Sequence, residues 1–300
     1  MLHNDSELFE QVIIATGDYF RIDYAIIEKD YYVTEILKSI SKKEPRIIFK
    51  GGTSLSKCYG IIKRFSEDID FGFECEHHPT NSELKKMKET IVSTIDEFGF
   101  TLTNPENVRS RRDYNKYIVS YPVNFSTVAL KPRLIVETSV FVRAYPTVHR
   151  TATSYIYDYL KQENRDDIIE KYDLSPFELQ VQSIERTFID KIFALCDYYL
   201  DGRIAEHSRH IYDISKLYQN VSIDNNLKLL FKVVREDRKT HTACLSAKDS
   251  IDISAMLKEI VEKEVYKNDY ESITESLLFE KVPYETAINA IKLIINSDLF

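Results

Sequence analysis

The stretch Phe49-Lys-Gly-Gly-Thr-Ser-Leu-Ser-Lys-Cys-Tyr-Gly-Ile-Ile-Lys-Arg-Phe-Ser-Glu-Asp-Ile-Asp-Phe71 constrains this chain more than any other. Arg46–Lys50 reads as a short strand that stops at two glycines. A backbone without Cβ atoms can turn sharply there and approach a ligand closely. Thr53 and Ser54 then open a helix, expected over Ser54–Ile62, whose free N–H groups and positive dipole end suit a phosphate. Gly52, Thr53 and Ser54 are therefore the candidate phosphate-binding residues. Asp68–Phe73 alternates as a second strand, and side chains two apart on a strand share a face, so Asp68 and Asp70 project together. Two hard carboxylates side by side suit Mg²⁺ or Mn²⁺. Either half alone is commonplace: Gly-Gly-Thr is often only a capped turn, and Asp-x-Asp often only a solvated strand face. Their ordered combination at short spacing is the minimal equipment for metal-assisted phosphoryl or nucleotidyl transfer.

The rest of the chain supplies a frame for that segment. Two helices fill the first forty residues, and Asn81–Phe98 has helical spacing (Leu84, Met87, Ile91, Ile95). Strands are expected at Thr101–Leu102, Tyr117–Tyr121 and Arg133–Phe141. From about Ser175 the signals are helical: Phe177–Leu200, Glu206–Tyr218, Asn226–Val234, Asp249–Val265 and Pro283–Ile295. The expected fold is α+β: a mixed-sheet lobe over residues 1–160, then a mainly helical lobe over 161–300 completing the active-site cleft.

Composition excludes several classes. No apolar run approaches the roughly 18 residues that span a bilayer, and the N-terminus has no basic start followed by an apolar stretch, so a cytoplasmic protein is expected. The four cysteines (Cys58, Cys75, Cys196, Cys244) are widely spaced, as in reduced thiols. A net charge of −8 argues against a surface built for indiscriminate nucleic-acid binding, though a local basic site remains compatible with it. The densest basic–aromatic cluster is Arg109, Arg111 and Arg112 with Tyr114, Lys116 and Tyr117, either a solvated hairpin or an RNA-backbone contact. Glu137 lies on the opposite strand face from Leu134 and Val136, where the plain reading is a solvent-facing glutamate. His207, His210 and Asp213 have a spacing that can build a zinc face on a helix. Lys191 falls beside the stripe Ile184, Phe188, Ile192, Leu195, where a lysine either snorkels or presents a cation.

Lys50-Gly-Gly-Thr-Ser-Leu55 and Arg64-Phe-Ser-Glu-Asp-Ile-Asp70 resemble the signature of the DNA polymerase β-like nucleotidyltransferases, and in detail that of the AbiEii/AbiGii toxin group, which includes the MenT-type enzymes. Glu28-Lys-Asp-Tyr-Tyr-Val33, Glu185-Arg-Thr-Phe-Ile-Asp-Lys191 and Arg209-His-Ile-Tyr-Asp213 resemble further blocks of that group, in the same order. The resemblance implies a metal-dependent nucleotidyltransferase using an NTP with Mg²⁺ or Mn²⁺. It implies Asp68 and Asp70 as catalytic metal carboxylates, with Glu137 as a possible third ligand, and Lys191 as a cation near the triphosphate. Asp213 would accept a hydroxyl proton or orient Lys191. It also implies transfer of an NMP to a tRNA acceptor end by a toxin neutralised by an antitoxin encoded nearby, with no membrane partner. Alternatives are a protein or small-molecule hydroxyl as acceptor, or a non-catalytic nucleotide- or RNA-binding module.

Overall fold

The structure is a computed structural model that describes residues 1–300 except Glu67, Cys75, Glu76, Val128 and Ala129. Glu67 and Cys75, both singled out in the sequence, thus lie outside the described residues. The chain divides into two compact units. Unit 1 comprises residues 1–59, 65–141 and 147–181, and unit 2 comprises 60–64, 142–146 and 182–300. The signature segment therefore changes unit twice, leaving unit 1 for Gly60–Arg64 and returning at Phe65.

Unit 1 opens with α1 (Ser6–Phe20) and α2 (Tyr24–Lys43), capped by the carboxylates of Asp5 and Asp23, which accept from Leu8 N and Ala25 N. After β1 (Ile47–Lys50) come α3 (Gly51–Lys57) and β2 (Asp68–Phe73). Next is α4 (Asn81–Glu97), started by a reciprocal capping box between Thr80 and Glu83. The strands β3 (Thr101–Leu102), β4 (Tyr114–Ser120), β5 (Leu134–Ser139) and β6 (Thr147–Ala152) follow, then α5 (Tyr155–Gln162), α6 (Asp166–Tyr172) and β7 (Phe177–Gln182). They form one mixed seven-stranded sheet in the order β3-β4-β5-β2-β1-β7-β6. β2 runs antiparallel to β1 and parallel to β5, and β4 runs antiparallel to β5.

One face of this sheet is the core. Phe49, Ile69, Phe71, Tyr117, Val119, Leu134, Val136 and Val181 are buried in one cluster with Ile27, Tyr31, Val33 and Ile36 of α2. The other face carries Asp68, Asp70, Lys116 and Glu137. Full burial of each Phe or Ile contributes roughly 1.5–3 kcal/mol. A slip of β2 by one residue would exchange Ile69 and Phe71 for Asp68 and Asp70 and bury two carboxylates, so the apolar alternation pins the acidic pair to its face.

Unit 2 is helical: α7 (Ile184–Leu200), α8 (Arg209–Tyr218), α9 (Asn225–Lys239), α10 (Ile253–Glu262) and the C-terminal helix Tyr284–Ile295 are its main elements. Two expectations need correction. Phe177–Leu200 is not one helix: Phe177–Gln182 is a strand with Leu179 and Val181 buried, and Ser183 caps α7 by accepting from Arg186 N. The helix after the glycines starts at Gly51 and stops at Lys57, not over Ser54–Ile62. Among the described residues, Cys58, Cys196 and Cys244 are free thiols, and no helix is long and apolar enough to cross a membrane.

Candidate active site

The two glycines and the aspartate pair are built as one object. Lys50, the last residue of β1, pairs with Asp70 across the antiparallel ladder. Gly51 then takes φ +77°, a left-handed conformation that favours glycine. A Cβ on Gly51 would lie 2.1 Å from Asp70 Oδ2, so the missing side chain leaves the space in which the Asp70 carboxylate sits. Thr53 and Ser54, expected to meet phosphate oxygens, are buried. Thr53 Oγ1 is bonded to the Asp68 carbonyl and to Ser66 Oγ (2.9 Å), and Ser54 Oγ donates to Gly51 O at 2.9 Å. The Thr53 hydroxyl thereby ties the turn to β2, while that of Ser54 closes the first turn of α3 on itself. Gly52 is buried in the first turn of α3.

Asp68 and Asp70 occupy the two half-exposed positions of β2, between buried Ile69 and Phe71. Parallel pairing sets Glu137 beside Asp70, and antiparallel pairing sets Lys116 beside Glu137. Lys116 Nζ donates to Glu137 Oε1 at 2.8 Å. Among the described residues, no group of three or more His, Cys, Asp or Glu side chains is arranged to hold a metal ion. The fit to Mg²⁺ or Mn²⁺ therefore rests on the all-oxygen chemistry of Asp68 and Asp70 and on the cleared space at Gly51.

In unit 2 the predicted Lys191 and Asp213 are in direct contact. Lys191 Nζ lies 2.9 Å from Asp213 Oδ2, both side chains being largely or wholly buried. Arg64 completes the group with a bidentate fork, Nε to Oδ1 and Nη2 to Oδ2, each at 2.8 Å. Burial opposes the charge on Asp213, but Arg64 and Lys191 outweigh it and hold the carboxyl well below the usual carboxylate range. A carboxylate held so low is a weak proton acceptor, which favours the orienting role over the basic one. Sequence alone assigns Arg64 no role, although it opens the Arg-Phe-Ser-Glu-Asp phrase. His210 is buried beside this group, and desolvation, then Lys191, pushes its imidazole well below the ordinary value. His207 stacks on Tyr198, ring centroids 3.5 Å apart.

A second set of residues braces the glycine helix. Glu28, Lys29 and Asp30 are consecutive on α2 and all buried. Glu28 accepts from Asn124 N and Phe125 N, while Lys29 Nζ donates to Lys131 O at 2.9 Å. Asp30 Oδ1 accepts from Lys57 Nζ at 2.6 Å, and its Oδ2 accepts from Tyr155 N. Lys57 is the last residue of α3, so this buried pair fixes the far end of the helix that Gly51 starts. The Glu28-Lys-Asp phrase was visible in the sequence; its partners were not.

The basic cluster divides. Arg109, Arg111 and Arg112 are exposed in the segment leading into β4, anchored where the Asn115 side chain bonds both Arg109 N and Arg109 O. Lys116, grouped with them in the sequence, is instead engaged with Glu137.

A sharp glycine turn packed on a strand Asp-x-Asp, within a mixed sheet, is the architecture of a nucleotidyltransferase. The fold is similar to that of MenT4, nucleotidyltransferase toxin Rv2826c from Mycobacterium tuberculosis H37Rv, with a TM-score of 0.52 and 16% identity over 91% of this chain and 83% of that one. No curated protein matches the sequence. The model of the nucleotidyl transferase AbiEii toxin family, Type IV TA system, matches residues 35–290, and the chain belongs to that family. It is thus a nucleotidyltransferase toxin of a toxin–antitoxin system, and an antitoxin partner follows from the family.

Proposed function

We propose that this toxin moves an NMP from an NTP to the acceptor end of tRNA in the cytoplasm, blocking aminoacylation and so growth. The observation that carries the catalytic part is the packing of Asp70 into the space Gly51 leaves open, which makes turn and carboxylate a single device. Asp68 and Asp70 would hold Mg²⁺ or Mn²⁺, which when bound neutralises charge on the triphosphate. The acceptor hydroxyl attacks the α-phosphorus as its proton passes to solvent, the bond to the bridging oxygen breaks, and pyrophosphate leaves. Lys191, oriented by Asp213 and Arg64, supplies a fixed cation for phosphate oxygens. Exposed Arg109, Arg111 and Arg112 offer charge for an RNA backbone on a chain that is acidic overall.

Incubation of purified protein with tRNA, Mg²⁺ and each α-labelled NTP, beside Asp70→Ala, tests the reading. Label on tRNA from one or two NTPs, lost in the variant, supports it. Label only on protein or on a small-molecule hydroxyl redirects the acceptor, and no transfer to any acceptor overturns the catalytic reading.

A further inference from the structure

Glu137 sits at a fork. On one side β2 brings Asp70 into register with it, and on the other β4 brings Lys116. Neighbouring strands are about 4.8 Å apart, so both side chains are within reach of the Glu137 carboxylate on the same sheet face. The carboxylate is engaged by the ammonium, Lys116 Nζ to Oε1 at 2.8 Å. Consistently, Asp68, Asp70 and Glu137 do not form a three-ligand group among the described residues.

Three carboxylates on one face would repel one another, and the folded chain relieves this without any metal by setting a lysine next to the third. A carboxylate already bonded to an ammonium is a poorer cation ligand, because the incoming ion must displace that partner. We propose that Lys116 is a built-in counter-ion that withholds Glu137 from the cation site, leaving Asp68 and Asp70 as its protein ligands. This rests on the reading of those two aspartates as cation ligands. It gives Lys116 a task other than RNA binding and assigns Glu137 to balancing charge.

Titration of the full-length protein with Mn²⁺, followed by electron paramagnetic resonance, decides it. The titration is run alone and with a nucleoside triphosphate whose α–β bridge cannot be cleaved. Wild type is expected to show Mn²⁺ binding that Asp70→Asn abolishes. Glu137→Gln is expected to bind Mn²⁺ within about threefold of wild type, and Lys116→Met, which keeps the stem but frees Glu137, about tenfold more tightly or with a second ion. Thermal melting of each variant confirms that it is folded. Glu137→Gln losing affinity as Asp70→Asn does would make Glu137 a ligand and overturn the proposal, as would Lys116→Met at wild-type affinity and stoichiometry. Absence of any Asp70-dependent Mn²⁺ signal in wild type is a separate outcome, which removes the cation reading itself.

Discussion

Gly51→Ala isolates the feature on which the site depends. Its cost has two parts that the structure separates. The first is backbone strain: a non-glycine residue at φ +77° is disfavoured by about 1–2 kcal/mol. The second is steric, because the new methyl would lie 2.1 Å from Asp70 Oδ2, whereas ordinary contact begins at 3.4 Å. The carboxylate must therefore retreat by roughly 1.3 Å, and a displacement near 1 Å in a reacting site costs on the order of 10²-fold in rate. Gly99→Ala is the matched control, since Gly99 has φ +68° and a methyl added there would meet nothing within 4 Å. Gly99→Ala should show the strain cost alone in chemical denaturation and Gly51→Ala at least as large a loss, while only Gly51→Ala should lose nucleotidyl transfer. Equal transfer by the two variants, with Gly51→Ala folded, would refute the claim that the turn exists to seat Asp70.

Other perturbations follow from the same contacts. Asp213→Asn leaves Arg64 and Lys191 as buried cations without their counter-charge and should destabilise the protein by about 3–5 kcal/mol in urea unfolding. Because the folded carboxyl titrates below its ordinary value of 3.8, that deficit should be constant above about pH 4 and shrink as pH falls further, so a deficit growing in acid would contradict the assignment. Lys57→Met strands the Asp30 carboxylate in a largely buried position; a loss of about 2–4 kcal/mol is expected, and unchanged stability would remove the brace on α3. Arg111→Ala with Arg112→Ala should weaken transfer to tRNA and flatten its salt dependence while leaving Mg²⁺–NTP binding intact, and an unaltered salt slope would take this segment out of RNA recognition.

What the sequence made legible is what local pattern encodes. β2 was visible because its acidic and apolar residues alternate, and the same alternation decides which face each occupies. β6 was not, because Thr147–Ala152 is mostly polar and mostly half-exposed or exposed, with buried Ala152 its only core residue. β7 was absorbed into the following helix because a single residue, Ser183, separates them with no glycine or proline to mark the change. Lys191 and Asp213 could be picked from helix spacing and family resemblance, but not the bond of Asp213 to Arg64, which lies 149 positions away. Lys116 shows the same limit at short range. It follows a run of arginines in the chain, and only strand register reveals that its neighbour in space is a glutamate.

Each unit holds its own charged group. On the sheet face of unit 1, Lys116 is paired with Glu137, which lies in register with Asp70. In unit 2, Arg64 and Lys191 both contact the single carboxylate of Asp213. A carboxylate gripped by two cations gains nothing by protonating, since it would forfeit both ion pairs. Asp213 is then a fixture whose value lies in staying ionised, and Lys191 keeps its place because Asp213 does.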